Sequence, residues 1–314
     1  MEEELKDQLK LLLEMRDNIN KSGDALGLKD KYYDLEVPKI ENPEYYLFTG
    51  REYHIAGALS EMAKYGHSFS LKVGLFMRKI GIDPLKIIIK SGVVKRFKEI
   101  PVKLFELLTG AGYKVSYNIQ YDKYPGTLLW EYGFINDFKL YINNLFDIFK
   151  SLGVKKIVTI SPHSTEVLKI VSKEYLENES DVEIIHYTEL LSKSNLKFRS
   201  DNIKVAYHDP CHLARVIGIT EEPRELIKRC GCELLEHDYS KDLTTCCGAP
   251  VESIAPEVSK EIARKRIDEL KELGVDVIIT ACPFCLASLS SVAKSDDPKI
   301  IDLVEFLYER WIKT

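Results

Sequence analysis

The first 210 residues of this 314-residue chain contain no cysteine, and the whole sequence has only two glutamines. It also lacks a basic excess, because 44 Lys and Arg stand against 49 Asp and Glu, which argues against nucleic acid as a partner. No apolar run is long enough to span a bilayer, and the amino terminus, MEEELKDQ, is acidic where a signal peptide would be basic. We therefore expect a cytoplasmic protein without a transmembrane segment, able at most to dock peripherally on a membrane complex.

All seven cysteines lie in the last third of the chain. Five of them form a pattern, in which a single cysteine precedes a Cys-Cys-Gly triplet and then a Cys-Pro-Phe-Cys motif: Cys211, Cys246, Cys247, Cys282 and Cys285. Clustered thiols in a cytosolic protein favour metal, cluster or redox chemistry over a disulfide framework. Cys230 and Cys232 fall outside the pattern and are predicted to be small core residues.

The cysteine-rich segment is the second copy of an internal repeat. Residues 267–285, IDELKELGVDVIITACPFC, have an earlier counterpart in residues 145–164, LFDIFKSLGVKKIVTISPHS. In each copy a helix ends at a glycine, a β-branched strand follows, and a proline-containing turn comes next. Alternating strands and helices predict parallel-sheet α/β units. The predicted fold is therefore α/β, with two tandem, pseudo-symmetric parallel-sheet repeats after an N-terminal helical extension.

The two copies differ in their thiols. We place the N-terminal helix and connector at residues 1–43, the first repeat at 44–198 and the second at 199–314. The correspondence pairs Arg51 with Cys211, Tyr124-Pro125-Gly126 with Cys246-Cys247-Gly248, and Ser161 and Ser164 with Cys282 and Cys285. The first copy therefore keeps the glycine and the proline of the turns without the thiols. It is also longer, with inserted helices predicted around residues 71–104.

The spacing favours a polynuclear centre. Ligands gather at the carboxyl ends of the strands in open α/β sheets, and Cys211 and Cys282 each follow a predicted strand. Cys285 falls in the first turn of the next helix, whose amino terminus favours the thiolate. The adjacent Cys246 and Cys247 suit different irons of a cluster better than one tetrahedral ion. Zinc and a bare redox dithiol remain alternatives.

The segments HDPCHLAR (208–215), CCG (246–248) and CPFC (282–285) resemble the cysteine-rich CCG domain family. Its members include the B and D subunits of heterodisulfide reductase and the iron–sulfur subunits of glycolate and lactate oxidases. The resemblance implies a noncubane [4Fe-4S] cluster, and only one here because the first repeat lacks thiols. The implied ligands are Cys211, Cys246, Cys247, Cys282 and Cys285. It further implies a thiol or disulfide substrate, and partners that comprise a ferredoxin-like iron–sulfur subunit and other subunits of a redox complex.

The resulting expectation is an iron–sulfur subunit of a heterodisulfide reductase-like complex, an oxidoreductase component that transfers electrons to or from a thiol or disulfide. Three alternatives are an iron–sulfur subunit of a succinate, lactate or glycolate oxidoreductase complex, a dithiol oxidoreductase that uses the CPFC pair, and a zinc-stabilised structural subunit. No residue is assigned a catalytic role.

Five further residues are candidates for the surroundings of the centre. His208 and His212 flank Cys211 and can hydrogen-bond a cluster sulfide or a substrate. Gly248 allows the backbone to approach a bulky centre closely. Arg51 and His163 stand where the lost cluster would be, as candidates to line a pocket.

Overall fold

A computed structural model describes residues 2–63, 91–252 and 254–313. Within these ranges the chain forms two four-stranded sheets. The strands are β1 (Tyr45–Phe48), β2 (Val115–Ser116), β3 (Lys156–Thr159), β4 (Glu183–His186), β5 (Lys204–His208), β6 (Glu233–Leu235), β7 (Val277–Thr280) and β8 (Lys299–Asp302). The first sheet has the order β2-β1-β3-β4 and the second β6-β5-β7-β8, and all six pairings are parallel. The predicted tandem α/β repeats are confirmed.

Helices precede and connect the strands. They are α1 (Glu2–Ser22), α2 (Glu52–Ala63), α3 (Gly92–Gly110), α4 (Thr127–Glu131), α5 (Ile135–Ser151), α6 (Pro162–Lys169), α7 (Tyr187–Leu191), α8 (Glu221–Arg229), α9 (Pro256–Lys271), α10 (Pro283–Val292) and α11 (Leu303–Arg310). Short 3-10 turns occur at Asp30–Tyr32, Val171–Glu174, Lys241–Leu243 and Ala249–Val251, and a π-helix at His212–Ile217. Among the described residues, no helix combines the length and the apolar character needed to cross a bilayer.

Local sequence accounts for these boundaries. The central strand β7 is buried along its whole length, as expected for a parallel strand covered by helices on both faces. Gly153 and Gly274 lie just beyond α5 and α9 with φ of 66° and 70°, a left-handed conformation that suits glycine and ends a helix. Of the predicted insertion at 71–104, α3 occupies the later part, and residues 71–90 lie outside the described ranges.

The two repeats pack crosswise. Helix α2, which follows β1, contacts α10, which follows β7, and α6 after β3 contacts the π-helix after β5. Each of these helices begins at the carboxyl end of its strand, so the functional edges of the two sheets share one interface. One hydrophobic core contains residues of both sheets, among them Leu47 and Val158 of the first and Val205 and Ile278 of the second.

Polar contacts and the N-terminal helix add to this packing. The Tyr53 hydroxyl donates to Oδ2 of the buried Asp302 at 2.8 Å, which joins α2 to the end of β8. Helix α1 packs on the first repeat, where Ile19 is fully buried and Leu12 and Met15 contact the core. The sheets fall within the expected ranges 44–198 and 199–314; their separation into domains at these boundaries stays a prediction.

Candidate metal centre

The strand pairing brings the first and last cysteine segments together. Strands β5 and β7 are neighbours, with His208 opposite Thr280 at their carboxyl ends. Cys211 follows β5 and begins the π-helix turn, while Cys282 is the residue immediately before α10. Cys285 lies in the first turn of that helix. The segments therefore meet at one sheet edge because parallel neighbouring strands end on the same side.

The Cys-Cys-Gly loop is held against two helices by hydrogen bonds to its carbonyls. Ser259 of α9 donates to the Gly248 carbonyl at 2.9 Å, and Ser288 of α10 donates to the Cys247 carbonyl at 2.7 Å. Gly248 has φ of 88°, and a Cβ there would lie 2.5 Å from the Ser259 carbonyl oxygen. Only glycine satisfies both the left-handed backbone and this close approach.

Five neighbouring thiols form a series in which each affects the pKa of the next: Cys211, Cys246, Cys247, Cys285 and Cys282. Cys247, Cys282 and Cys285 are buried, whereas Cys211 and Cys246 are partly exposed. All seven cysteines of the chain are free thiols.

Two members of this series favour the thiolate. Hydrogen bonds from Cys211 and then Cys247 hold the pKa of Cys246 far below its usual value. Burial alone would raise the pKa of Cys282, but hydrogen bonds from Cys285 and His163 outweigh it and lower that pKa. Since metals bind thiolates, part of the deprotonation that binding requires is already favoured by the fold.

His208 lies beneath the thiols with a defined tautomer. Its Nδ1 accepts a hydrogen bond from the Arg266 Nε at 3.2 Å, and because arginine only donates, the ring proton is on Nε2. Burial, with Arg266 second, lowers the pKa of His208 to about 3, so the ring is neutral. The buried Nε2 has no hydrogen-bond partner in the part of the chain described. Ligand atoms of His208, Cys247 and Cys285 lie within 4.8 Å of one another.

His163 stands on the other side of the thiols. Burial would lower its pKa, but the hydrogen bond to Cys282 and the charges of Cys282 and Glu52 raise that pKa to about 9. Glu52 is completely buried, and its carboxylate accepts a hydrogen bond from Ser164 at 2.6 Å. Burial raises the pKa of Glu52 more than His163 and the nearby serines lower it.

His212 belongs to a separate polar group next to His163. The two imidazole rings lie 4.2 Å apart between centroids. His212 Nδ1 makes a short hydrogen bond with the buried Glu166 carboxylate, and its Nε2 lies 4.0 Å from Glu131 Oε1.

A cavity of about 450 Å³ opens between the repeats. Four of the five thiols border it, together with His163 and His212. The rest of its wall is largely apolar and includes Leu12, Leu59 and Phe284. The centre is thus reachable from a mostly apolar space.

The thiol-free repeat fills the matching position differently. Arg51 is fully buried, donates from Nε to the Asp122 carbonyl at 2.7 Å, and pairs with Asp30 at 2.7 Å. It is not among the described residues that border the cavity. Gly126 has φ of 90°, close to the 88° of Gly248, so the turn survives where the thiols do not.

The other two cysteines lie elsewhere. Cys230 and Cys232 follow α8 and pack with the core, with the Cys230 thiol donating to the Leu226 carbonyl at 3.5 Å.

Sequence reasoning missed four charged residues of the site: Glu52, Glu131, Glu166 and Arg266. The sequence offers a partial indication of Glu166, because it lies two residues beyond the SPHS motif that matches the CPFC motif of the second repeat. Nothing local singles out Arg266, whose partner His208 is 58 residues away.

Comparisons with known proteins agree with this interpretation of the cysteines. Residues 205–290 match the family model of the CCG cysteine-rich domain. The EtfAB:quinone oxidoreductase of Syntrophomonas wolfei is 29% identical over 232 residues, which cover 68% of this chain and 32% of that protein. The D subunit of the dihydromethanophenazine:CoB–CoM heterodisulfide reductase of Methanosarcina barkeri is 30% identical over 167 residues, which cover 50% of this chain and 41% of that protein.

An uncharacterized iron–sulfur protein of Methanocaldococcus jannaschii is 34% identical over 142 residues, 44% of this chain and 27% of that protein. The chain thus spans less than half the length of these relatives. The CCG domain and the iron–sulfur relatives support an iron–sulfur cluster as the cofactor.

The donor set fits such a cluster. It offers five sulfurs from three segments, two of them on adjacent residues, whereas a closed zinc site takes four ligands. A polynuclear centre accepts adjacent cysteines on different metal atoms. The unpartnered Nε2 of His208 supplies an N–H donor of the kind that surrounds cluster sulfurs.

Proposed function

We propose that this chain is the iron–sulfur subunit of a heterodisulfide reductase-like complex, in which it transfers electrons to or from a thiol or disulfide. The proposed ligands of a single noncubane [4Fe-4S] cluster are Cys211, Cys246, Cys247, Cys282 and Cys285. The observation that carries the proposal is the convergence of the three cysteine segments at one cavity of about 450 Å³, which four of the five thiols border. When bound, the cluster would supply one-electron chemistry beside that cavity.

The surrounding residues have distinct proposed roles. Neutral His208 donates from Nε2 to a sulfur of the centre, and Arg266 keeps the ring in that tautomer. His163 donates to Cys282 and stabilises its thiolate. Gly248 lets the loop reach the centre without steric overlap. The apolar wall limits water at the sulfurs, which strengthens these electrostatic interactions.

Partners and location follow from the same interpretation. A ferredoxin-like protein is the proposed electron donor or acceptor, together with other subunits of the complex, since one cluster needs a redox partner. The cytoplasm is the proposed compartment because seven free thiols suit a reducing environment. Peripheral attachment to a membrane complex is compatible with this arrangement.

Metal and sulfide analysis of protein purified without oxygen tests the cofactor. We expect about four irons per chain with matching acid-labile sulfide. Cys247→Ser should lose most of both, whereas Cys230→Ser, which alters an equally buried cysteine outside the series, should keep them. Unchanged iron in Cys247→Ser, or zinc without sulfide, would refute the ligand assignment.

A second assay tests the reaction. Reduced viologen dye supplies electrons and a small organic disulfide accepts them, with dye oxidation followed by absorbance. We expect cluster-dependent turnover that disappears in Cys247→Ser. Disulfide reduction by metal-free protein that is lost in Cys282→Ser would instead identify a dithiol oxidoreductase, and dye oxidation only with a carboxylic acid acceptor would identify a component of an organic-acid oxidoreductase.

A further inference from the structure

We propose that Glu131, His163 and His212 form a second, mononuclear metal site beside the cysteine series, for a divalent ion such as Zn²⁺ or Fe²⁺. One ligand atom from each residue lies within 4.8 Å of the other two. The three side chains come from the end of α4, the first turn of α6 and the start of the π-helix. The site therefore joins the two repeats and exists only in their packed arrangement.

The orientation of His212 is that of a metal ligand. Glu166 is buried and makes its hydrogen bond with Nδ1 of His212. A carboxylate acceptor places the ring proton on Nδ1 and leaves the lone pair of Nε2 free, as in the carboxylate–histidine–metal arrangement common in metalloproteins. That Nε2 lies 4.0 Å from Glu131 Oε1, so the two free donor atoms face one another.

His163 completes the group from the opposite side. Its ring centroid lies 4.2 Å from that of His212, with the planes tilted by 41°, and 5.0 Å from that of Phe284 in an edge contact. Two neighbours therefore fix its position. His163 as a whole is 9% exposed, and its Nδ1 finds no hydrogen-bond partner within the described ranges. A buried ring nitrogen without a partner is costly, and a bound ion would remove that cost by taking the place of the Nδ1 proton.

The donor set specifies the class of ion. Two imidazoles and one carboxylate bind catalytic zinc or non-haem ferrous iron and leave further coordination positions open. Metal–ligand bonds of about 2.0–2.2 Å require the donor atoms to approach one another by roughly 1 Å. Glu131, whose side chain is one-third exposed, has the freedom to make that movement. All three residues border the cavity, so the open positions face a potential substrate.

Zinc binding to the anaerobically purified holoprotein tests the site. The protein is dialysed against a chelator, titrated with ZnCl₂, and analysed for zinc, iron and sulfide in the same sample. We expect one zinc per chain, with iron and sulfide unchanged, and zinc-edge X-ray absorption that shows nitrogen and oxygen neighbours at about 2.0–2.2 Å rather than sulfur at about 2.3 Å.

Two variants and a matched control localise the ion. Glu131→Gln should weaken zinc binding at least 10-fold, and Glu166→Gln about 10–100-fold through His212. Glu252→Gln alters another carboxylate of the same cavity wall and should bind zinc as the unaltered chain does. Absence of bound zinc at about 100 µM free ion, zinc retained in Glu131→Gln, or sulfur neighbours at the zinc would overturn the proposal. Lack of iron and sulfide would instead contradict the cluster while leaving this site testable.

Discussion

Replacing Gly248 by alanine should damage the centre far more than it damages the fold. The residue has φ of 88°, and an added Cβ would lie 2.5 Å from the Ser259 carbonyl oxygen. Ser259 also holds the Gly248 carbonyl through its hydroxyl. The loop must therefore move away from α9, and it carries Cys246 and Cys247 with it. Gly274 provides the matched control, because its φ is 70° and no described atom lies within 4 Å of an added Cβ.

Comparing the alanine variants at Gly248 and Gly274 separates the cost of backbone strain from the cost of steric overlap. A left-handed alanine costs about 1–2 kcal/mol of unfolding free energy, and Gly274→Ala should show only that cost. Gly248→Ala adds an overlap of about 0.9 Å relative to ordinary van der Waals contact, because the carbonyl oxygen is 2.5 Å away where 3.4 Å is ordinary. Overpacking of this kind costs about 1–3 kcal/mol. The expected totals are about 1–2 kcal/mol for Gly274→Ala and about 2–5 kcal/mol for Gly248→Ala.

Thermal unfolding and metal analysis measure the two effects separately. At about 2 °C per kcal/mol for a chain of this size, Tm should fall by about 2–4 °C in Gly274→Ala and by about 4–10 °C in Gly248→Ala. Iron and sulfide should stay unchanged in the first variant and fall clearly in the second. Equal Tm values and full iron in both would refute the argument that this close approach positions the thiols.

Two further changes test the charges around the centre and between the repeats. Arg266→Gln removes the buried cation that donates to His208. The midpoint potential of the cluster should become more negative, because the reduced form loses a stabilising charge. An unchanged potential in a redox titration would contradict this role. Burial and then Glu305 raise the pKa of Asp302 from 3.8 to about 8. Between about pH 4 and 8, the folded chain therefore keeps a proton on Asp302 that the unfolded chain has already lost. The free energy of unfolding should fall by up to about 1.4 kcal/mol for each unit by which the pH rises in that window. Asp302→Asn should flatten this part of the Tm–pH profile between pH 5 and 8, and a slope as steep as that of the unaltered chain would exclude Asp302 as its source.

The repeat explains why the centre lies between two similar halves. Crosswise packing of α2 on α10 and of α6 on the π-helix places thiols from one repeat opposite His163 and Glu52 from the other. Although the first repeat lacks the thiols, its face at this interface presents carboxylates and an imidazole to the cysteine series. Arg51 does not reach that face. It is buried within the first half of the chain, where it pairs with Asp30 and donates to the Asp122 carbonyl.

The sequence alone determined the features that depend on local pattern. Strand and helix periods, the paired glycines and the thiol spacing identify the tandem α/β repeats and bring Cys211 and Cys282 to one edge, since parallel strands end together. Only the tertiary structure selected the partners of these groups. Arg266 reaches His208 across 58 residues, and Glu166 reaches His212 across 46. Such pairs depend on how the helices cross, and a charged residue on a helix has the same local signature whether it faces solvent or a buried imidazole.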